Sequence, residues 1–448
     1  MRDLMIFGAM LFLVPLSIRN SYVAYLLWGW AGLASISSYL YGFMLSFQLV
    51  QFFALIALVR IMVKGDVERR PFEPNRTATL FIIFSVQILL SATFAYDGHP
   101  RNWEYATNMF KTVLFCLLMP LLVTSRFRIH VLVLVIAIST GHHGLIDGLK
   151  FISSGGGHLA RGIAKFGDNN HYAMVLIMVL PLLLYCYRYS TNKYVKFGFL
   201  TVIPLEILAV IATQSRGGLA CLSAVGIWFV MTSRRKVVGI IGVAVCALLI
   251  VQMAPESWTT RMNTIGEAGD DSSFLGRVGA WRVSSAIALA NPLIGGGVHV
   301  VELGSIWERF KDAPHLLVFL SNTGMDGLLG RGRAAHSIYF EVLGDLGFLG
   351  FFMFMVILAN ALITARDITR MAKVEGESME WARSLAEMLT ISLIAFMTGG
   401  ALLSAAYFEL PYILCMLLEV LKIQVKAEIN KAKIDIKIVH VSRSALRK

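Results

Sequence analysis

Residues 170–187 read NHYAMVLIMVLPLLLYCY, a run without Asp, Glu, Lys or Arg. Charge returns only at its edges, at Asp168 and Arg188. A bilayer core takes about 20 predominantly apolar residues per helix, and this run with its flanks meets that length, so it predicts a membrane-spanning helix. Working outward, comparable runs fall near 4–17, 22–34, 45–63, 77–95, 105–124, 129–151, 196–214, 217–232, 237–253, 336–364, 384–406 and 411–424. The first two are short and close together, and they read as one broken or partly inserted element. The expected fold is an all-α polytopic membrane protein with about twelve transmembrane helices.

Composition agrees. The chain has 448 residues, 57% of them apolar and 15% charged, whereas soluble domains run near ~45–50% and about 25%. That balance excludes a water-soluble enzyme, and it excludes a disordered chain, which needs low hydrophobicity. Cys116, Cys186, Cys221, Cys246 and Cys415 all lie in apolar runs. They are spaced for neither disulfides nor zinc and read as small packing residues. A single Arg precedes the first apolar stretch and no small-residue cleavage site follows, so no cleaved signal peptide is expected.

The formal charge of +12 comes from 40 Lys and Arg against 28 Asp and Glu. In a soluble chain this would suggest nucleic acid; in a membrane chain the basic residues first report topology. Most of them collect in the N-terminus, 64–78, 124–128, 188–196, 233–236, 365–383 and the tail 422–448. The positive-inside rule makes that side cytoplasmic, with both termini on it. The Lys-rich tail reads as a solvated helix near anionic membrane lipid.

The opposite side carries one large hydrophilic insertion, 254–335, with acidic and basic residues nearly balanced. It offers no nucleic-acid surface, and a loop of this length is usually functional. The predicted organisation is therefore 1–253, N-terminal transmembrane helices; 254–335, a large loop with catalytic elements; 336–424, C-terminal transmembrane helices; and 425–448, a basic cytoplasmic tail.

Ionisable residues at membrane depth are costly and usually functional. Four stretches on the non-cytoplasmic side hold them: Arg161 through Asp168, Asn170 and His171; Gln214-Ser215-Arg216-Gly217-Gly218; Arg277 with Trp281 and Arg282, leading to Asn291-Pro292 and Gly295-Gly296-Gly297; and His336 to Glu341, with Gly347 beyond. Arg277 and Trp281, four apart, share a helix face. Blander readings stand beside each. Arg161 and Arg282 can snorkel to headgroups, Arg216 can be a helix end, Gly295–Gly297 a hinge, and His336 an interfacial residue. The pair His142-His143 reads as polar packing within a span. What favours chemistry is convergence on one face. Arginine forks suit diphosphate oxygens and stay charged in a dry site, and histidine can take a proton near neutral pH. No metal-ligand spacing, P-loop, GxSxG or Asp-x-Asp pair is present, so no metal and no cofactor is expected.

Three of these stretches together resemble the O-antigen ligase/polymerase superfamily of bacterial envelope glycosyltransferases. They are Ser215-Arg216-Gly217; Arg277, Trp281 and Asn291 through Gly297; and His336 with its spacing to Gly347. Arg161-Gly162 with Asn170 is similar to a further family stretch. The opening Met1-Arg2-Asp3-Leu4 and the hairpin after it resemble a subgroup of ligases associated with exosortase systems.

The resemblance implies a GT-C-like enzyme of the bacterial inner membrane whose active site faces the periplasm. It implies transfer of a preassembled glycan from undecaprenyl diphosphate to a lipid A-core sugar, with His336 as general base and Arg216 and Arg277 catalytic. Arg161, Asn170, Trp281, Arg282 and Gly297 are the expected substrate contacts. A polymerase, a protein O-oligosaccharyltransferase and a flippase for lipid-linked sugars are the alternative readings.

Overall fold

The computed structural model describes residues 2–63, 73–166, 168–232, 272–318 and 332–445, with 240, 244 and 248. The basic turns at 64–70 and 233–236, most of the expected span 237–253, and the loop parts 254–271 and 319–331 lie outside the described residues. Among those described, the regular structure is helical. Helices α1 (Arg2–Arg19), α2 (Ser21–Leu33), α3 (Leu49–Met62), α4 (Arg76–Thr93) and α5 (Pro100–Leu122) come first. Helices α6 (Arg126–Ser153), α7 (Asn169–Tyr189), α8 (Lys193–Ala212) and α9 (Arg216–Thr232) follow. After them come α10 (Ser272–Ala290), the short α11 (Gly304–Phe310), α12 (Ile338–Glu375), α13 (Glu380–Gly399) and α14 (Glu409–Ala445).

Six helical stretches are long and apolar enough to cross a membrane: Arg76–Thr93, Pro100–Leu122, Arg126–Ser153, Asn169–Tyr189, Lys193–Ala212 and Ile338–Leu402. Leu49–Met62 and Arg216–Met231 are shorter apolar helices. The stretch Ile338–Leu402 turns back at Gly376, and its two helices, α12 and α13, pack on each other. The chain is a multi-pass membrane protein, with six candidate spans among the described residues. The two apolar runs read as one broken element are α1 and α2, separated at Asn20, whose side chain caps α2 by accepting from Tyr22 and Val23 N–H. Helix α14 runs without a break through 424, the expected start of the tail.

Local sequence explains most helix starts. Asn75, Ser125, Asp168 and Asn192 each accept a first-turn backbone N–H, satisfying donors that a helix N-terminus leaves without a partner. Asp3 carries out a longer-range version, accepting from Tyr41, Gly42 and Met44 N–H. The His142-His143 pair is bonded to the Tyr39 hydroxyl at 3.1 and 2.9 Å, in keeping with polar packing.

The element that positions the site is the break in α12. Gly347 has φ +70, which an L side chain rarely adopts, and a Cβ there would meet Pro292 O at 2.6 Å. Breaking a helix frees carbonyls that apolar surroundings cannot satisfy. Here they are recaptured: Gly296 N–H donates to Gly344 O, Gly297 N–H to Asp345 O, Ser91 Oγ to Asp345 O and Gln87 Nε2 to Leu346 O. In return Phe348 N–H donates to Pro292 O at 2.8 Å. The Asn291–Gly297 turn is thus a clamp on the broken helix, and it anchors α10 to α12.

Candidate functional site

His336 lies on the short segment before α12, with φ +45. A non-glycine residue in this region costs on the order of 1–3 kcal/mol and persists only where surroundings over-determine it. They do here. His336 N–H donates to Ser404 Oγ at 2.8 Å, and the neighbouring Ala335 carbonyl accepts from Trp281 Nε1 at 2.8 Å. Trp281 in turn stacks on Phe340, with centroids 5.1 Å apart and planes within 10°. Two elements, α10 and the turn before α14, therefore fix the backbone that carries the imidazole.

The imidazole faces a cavity of about 810 Å³ between α2, α5, α7, α12 and the 403–409 turn, with Asp168, His171, His299, Glu302 and Glu341 also in its walls. That volume lies within the ~300–1,000 Å³ typical of ligand sites. Burial holds the His336 imidazole below its usual value. The Arg277 charge pushes the same way, while Asp168 and Glu302 oppose it. His336 is thus poised as a neutral base at pH 7.

The same cavity holds a polar network. His299, on φ +56, donates its backbone N–H to Asp345 Oδ2 at 2.9 Å. Its Nδ1 pairs with Glu302 Oε1 at 3.0 Å and its Nε2 faces Glu341 Oε1 at 3.3 Å. The ring stacks on Tyr105 with centroids 3.8 Å apart. Tyr407 donates to Asp345 Oδ2, and Ala406 N–H to Glu341 Oε2. Burial disfavours the imidazolium, but the Glu302 hydrogen bond and the charges of Glu341 and Asp345 outweigh it and raise His299 to about 9. Burial likewise opposes ionisation of Glu302, and the His299 contact overrides it, leaving its carboxyl below the usual range.

The structure brings His336, Arg277 and Trp281 together. Arg216 and Asn170 form a different corner. Ser215 Oγ donates to Asn170 Oδ1 at 2.6 Å and accepts from Gly218 N–H at 2.8 Å, which ties the start of α9 to the start of α7. Arg161 is exposed on the segment between α6 and α7. Arg282 is buried within the packing of α10. Gly297 lines a crevice of about 20 Å³ beside His299 and Glu302, and its N–H is taken by Asp345 O. Of the expected site residues, only His336 is among the described residues lining the large cavity.

Sequence reasoning passed over His299 and Glu302, and it quoted Glu341 without giving it a role. One signal was available: Glu341 and Asp345 stand one helical turn apart in an otherwise apolar segment, where paired carboxylates need a partner.

Residues 1–191 match a family of unknown function, DUF5935. No curated protein matches the chain. Residues 197–355 match the O-antigen ligase family, and this span contains Arg216, the α10 residues, the glycine clamp, the His299 network and His336 with its broken helix. The match over 197–355 supports a protein of the O-antigen ligase/polymerase superfamily, and that span holds the part of the cavity wall that carries His299, Glu302, His336 and Glu341.

Proposed function

We propose that this membrane glycosyltransferase is an O-antigen ligase. It transfers a glycan from undecaprenyl diphosphate to a sugar of lipid A-core at the periplasmic face of the inner membrane, with both of its termini in the cytoplasm. The observation that carries the reading is the neutral His336, on a backbone held by Ser404, at a large cavity and within the electrostatic reach of Arg277.

In the proposed reaction an acceptor hydroxyl attacks the anomeric carbon while His336 takes its proton. The bond from that carbon to the diphosphate oxygen breaks, and its electron pair leaves with the diphosphate. Arg277 and Arg216 stabilise the charge that accumulates there. Donors of this type are worth ~2.7–4 kcal/mol each in the transition state. The energy is already stored in the glycosyl–diphosphate bond, so no nucleotide is required. A single displacement inverts the anomeric configuration.

His336→Ala is expected to abolish long-chain O-antigen on lipopolysaccharide while the protein still reaches the membrane. A normal ladder from that variant removes His336 from the mechanism. Purified protein is expected to work in excess chelator, and strict metal dependence would overturn the arginine mechanism. Offering lipid-linked glycan with lipid A-core, free repeat unit or a serine-containing protein separates ligase from polymerase and from protein glycosylation. A flippase forms no covalent product with any of them.

A further inference from the structure

The mechanism assigns a proton acceptor and cations, but nothing in it recognises the acceptor. The wall beside His336 carries a group built for that purpose. Glu302 ends the short turn Val300–Glu302 that follows the glycine clamp, and 26% of its side chain is accessible where it lines the cavity. Its Oε1 is held by His299 Nδ1 at 3.0 Å. His299 is itself immobilised from three directions, by Asp345 at its backbone, by Glu341 at Nε2 and by the Tyr105 ring. Fixing a carboxylate from behind leaves its second oxygen for the cavity, and an ionised carboxylate can only accept hydrogen bonds.

The surroundings narrow the ligand further. Glu409 is paired with Lys165, so the carboxylates that act on His336 are Asp168 and Glu302. Of the lining cations, Lys165 is paired with Glu409 and Lys111 donates to Asn108 Oδ1, while Arg277 and Arg333, which act on His336, are not among the described lining residues. Aromatic faces from Trp28, Tyr105 and Tyr407 complete the walls. Convergent acceptors on an aromatic-lined cavity suit a hydroxyl-rich ring, whereas an anionic substituent placed between Glu302 and Asp168 would meet two like charges.

We propose that Glu302 is the specificity-determining residue for the acceptor: it accepts a hydrogen bond from a hydroxyl neighbouring the one that His336 deprotonates, and it selects an uncharged or amino sugar over a phosphorylated or carboxylated one. The inference rests on reading this cavity as the acceptor side of the proposed transferase. The Asn291–Gly297 clamp then has a further role, since it delivers His299 and Glu302 to the cavity wall.

The test is saturation-transfer NMR on the full-length protein in detergent. The probes are methyl glycosides of glucose, galactose and mannose, the 6-phosphates of the same sugars, and a serine peptide flanked by lysines. At least one neutral glycoside is expected to bind, its 6-phosphate at least tenfold more weakly. Glu302→Gln is expected to lose at least fivefold of that binding, and Glu302→Asp, which keeps the charge, to lose less. Equal binding of neutral and phosphorylated sugars, wild-type binding by Glu302→Gln, or binding by the peptide alone overturns the proposal. Should Glu302→Gln not fold, Glu302→Asp carries the test, and unchanged binding by it with a shortened reach is the adverse result. Binding needs no turnover. A protein that binds neutral glycosides through Glu302 yet joins no glycan to lipid A-core would therefore overturn the ligase reading alone.

Discussion

His336 and His299 occupy the same cavity, both on left-handed backbone, yet their charge states are opposite. Around His336, burial and the Arg277 charge favour the neutral ring. Around His299, carboxylates meet both ring nitrogens and hold the imidazolium to about pH 9. One fold thus keeps one histidine free to take a proton and gives the other no proton to exchange near neutrality. The difference lies in which helix faces each ring. His336 is reached by the cation on α10, and His299 by Glu302 beside it and by the two buried carboxyls, Glu341 and Asp345, that α12 carries before its break. A base needs the first setting, and a rigid scaffold needs the second.

The most direct way to break this contrast is to remove the cation. Arg277→Ala is expected to lower transfer by about 10²–10³-fold. It also removes a charge that depresses His336, so the acid limb of kcat/KM, which falls as the base becomes protonated, should move to higher pH. Arg277→Lys should return the limb toward its wild-type position and recover only part of the rate, because the planar fork is lost. Glu302→Gln should move the limb the other way, since Glu302 raises His336. A limb that stays fixed in the Arg277 variants would mean that the cation does not act on the base.

The second test addresses His299. Its folded value, about 9, lies above the value of an unfolded histidine near ~6.5. The resulting stabilisation is fully present below about pH 6.5 and is lost as pH rises through about 9. With the side chain only 12% accessible, the loss should be on the order of 3 kcal/mol. The melting midpoint of the wild type should therefore fall between pH 6.5 and 10 by more than that of His299→Gln. Parallel curves for the two proteins would show that the carboxylates are held by something else.

These two histidines also mark what could be read in the chain. Apolar runs such as 170–187 disclose their own environment, because spanning length and charge exclusion are local properties. Caps such as Asp168 are equally local. His336 was identifiable through its spacing to Gly347 and the family resemblance that this carries. His299 was not. Its decisive partners, Glu341 and Asp345, come from a helix some forty residues onward, and the only nearby hint is Glu302 three positions along. From sequence the glycine-rich turn reads as a hinge, because a turn's backbone donors look alike until their acceptors are known. Those acceptors are Gly344 and Asp345, and a pairing between Gly295–Gly297 and Gly347 has no sequence signal short of the fold itself.

The smallest effect expected sharpens the comparison most finely, because it touches how His336 is held without altering its charge. The family resemblance implies that Trp281 contacts substrate; in the structure its indole N–H donates to the Ala335 carbonyl and its ring stacks on Phe340. Trp281→Phe keeps an aromatic face for the stack and deletes one hydrogen bond, worth about 1 kcal/mol. That amount lets the segment carrying His336 relax from its strained conformation for part of the time. The consequence should be a fall of roughly fivefold in kcat, with acceptor KM and the acid limb unchanged, since neither Glu302 nor Arg277 has moved. His299 should be unaffected, so the high-pH loss of stability should match the wild type. A rise in acceptor KM at constant kcat would return Trp281 to the substrate and leave Ser404 as the sole hydrogen-bonding support of the base.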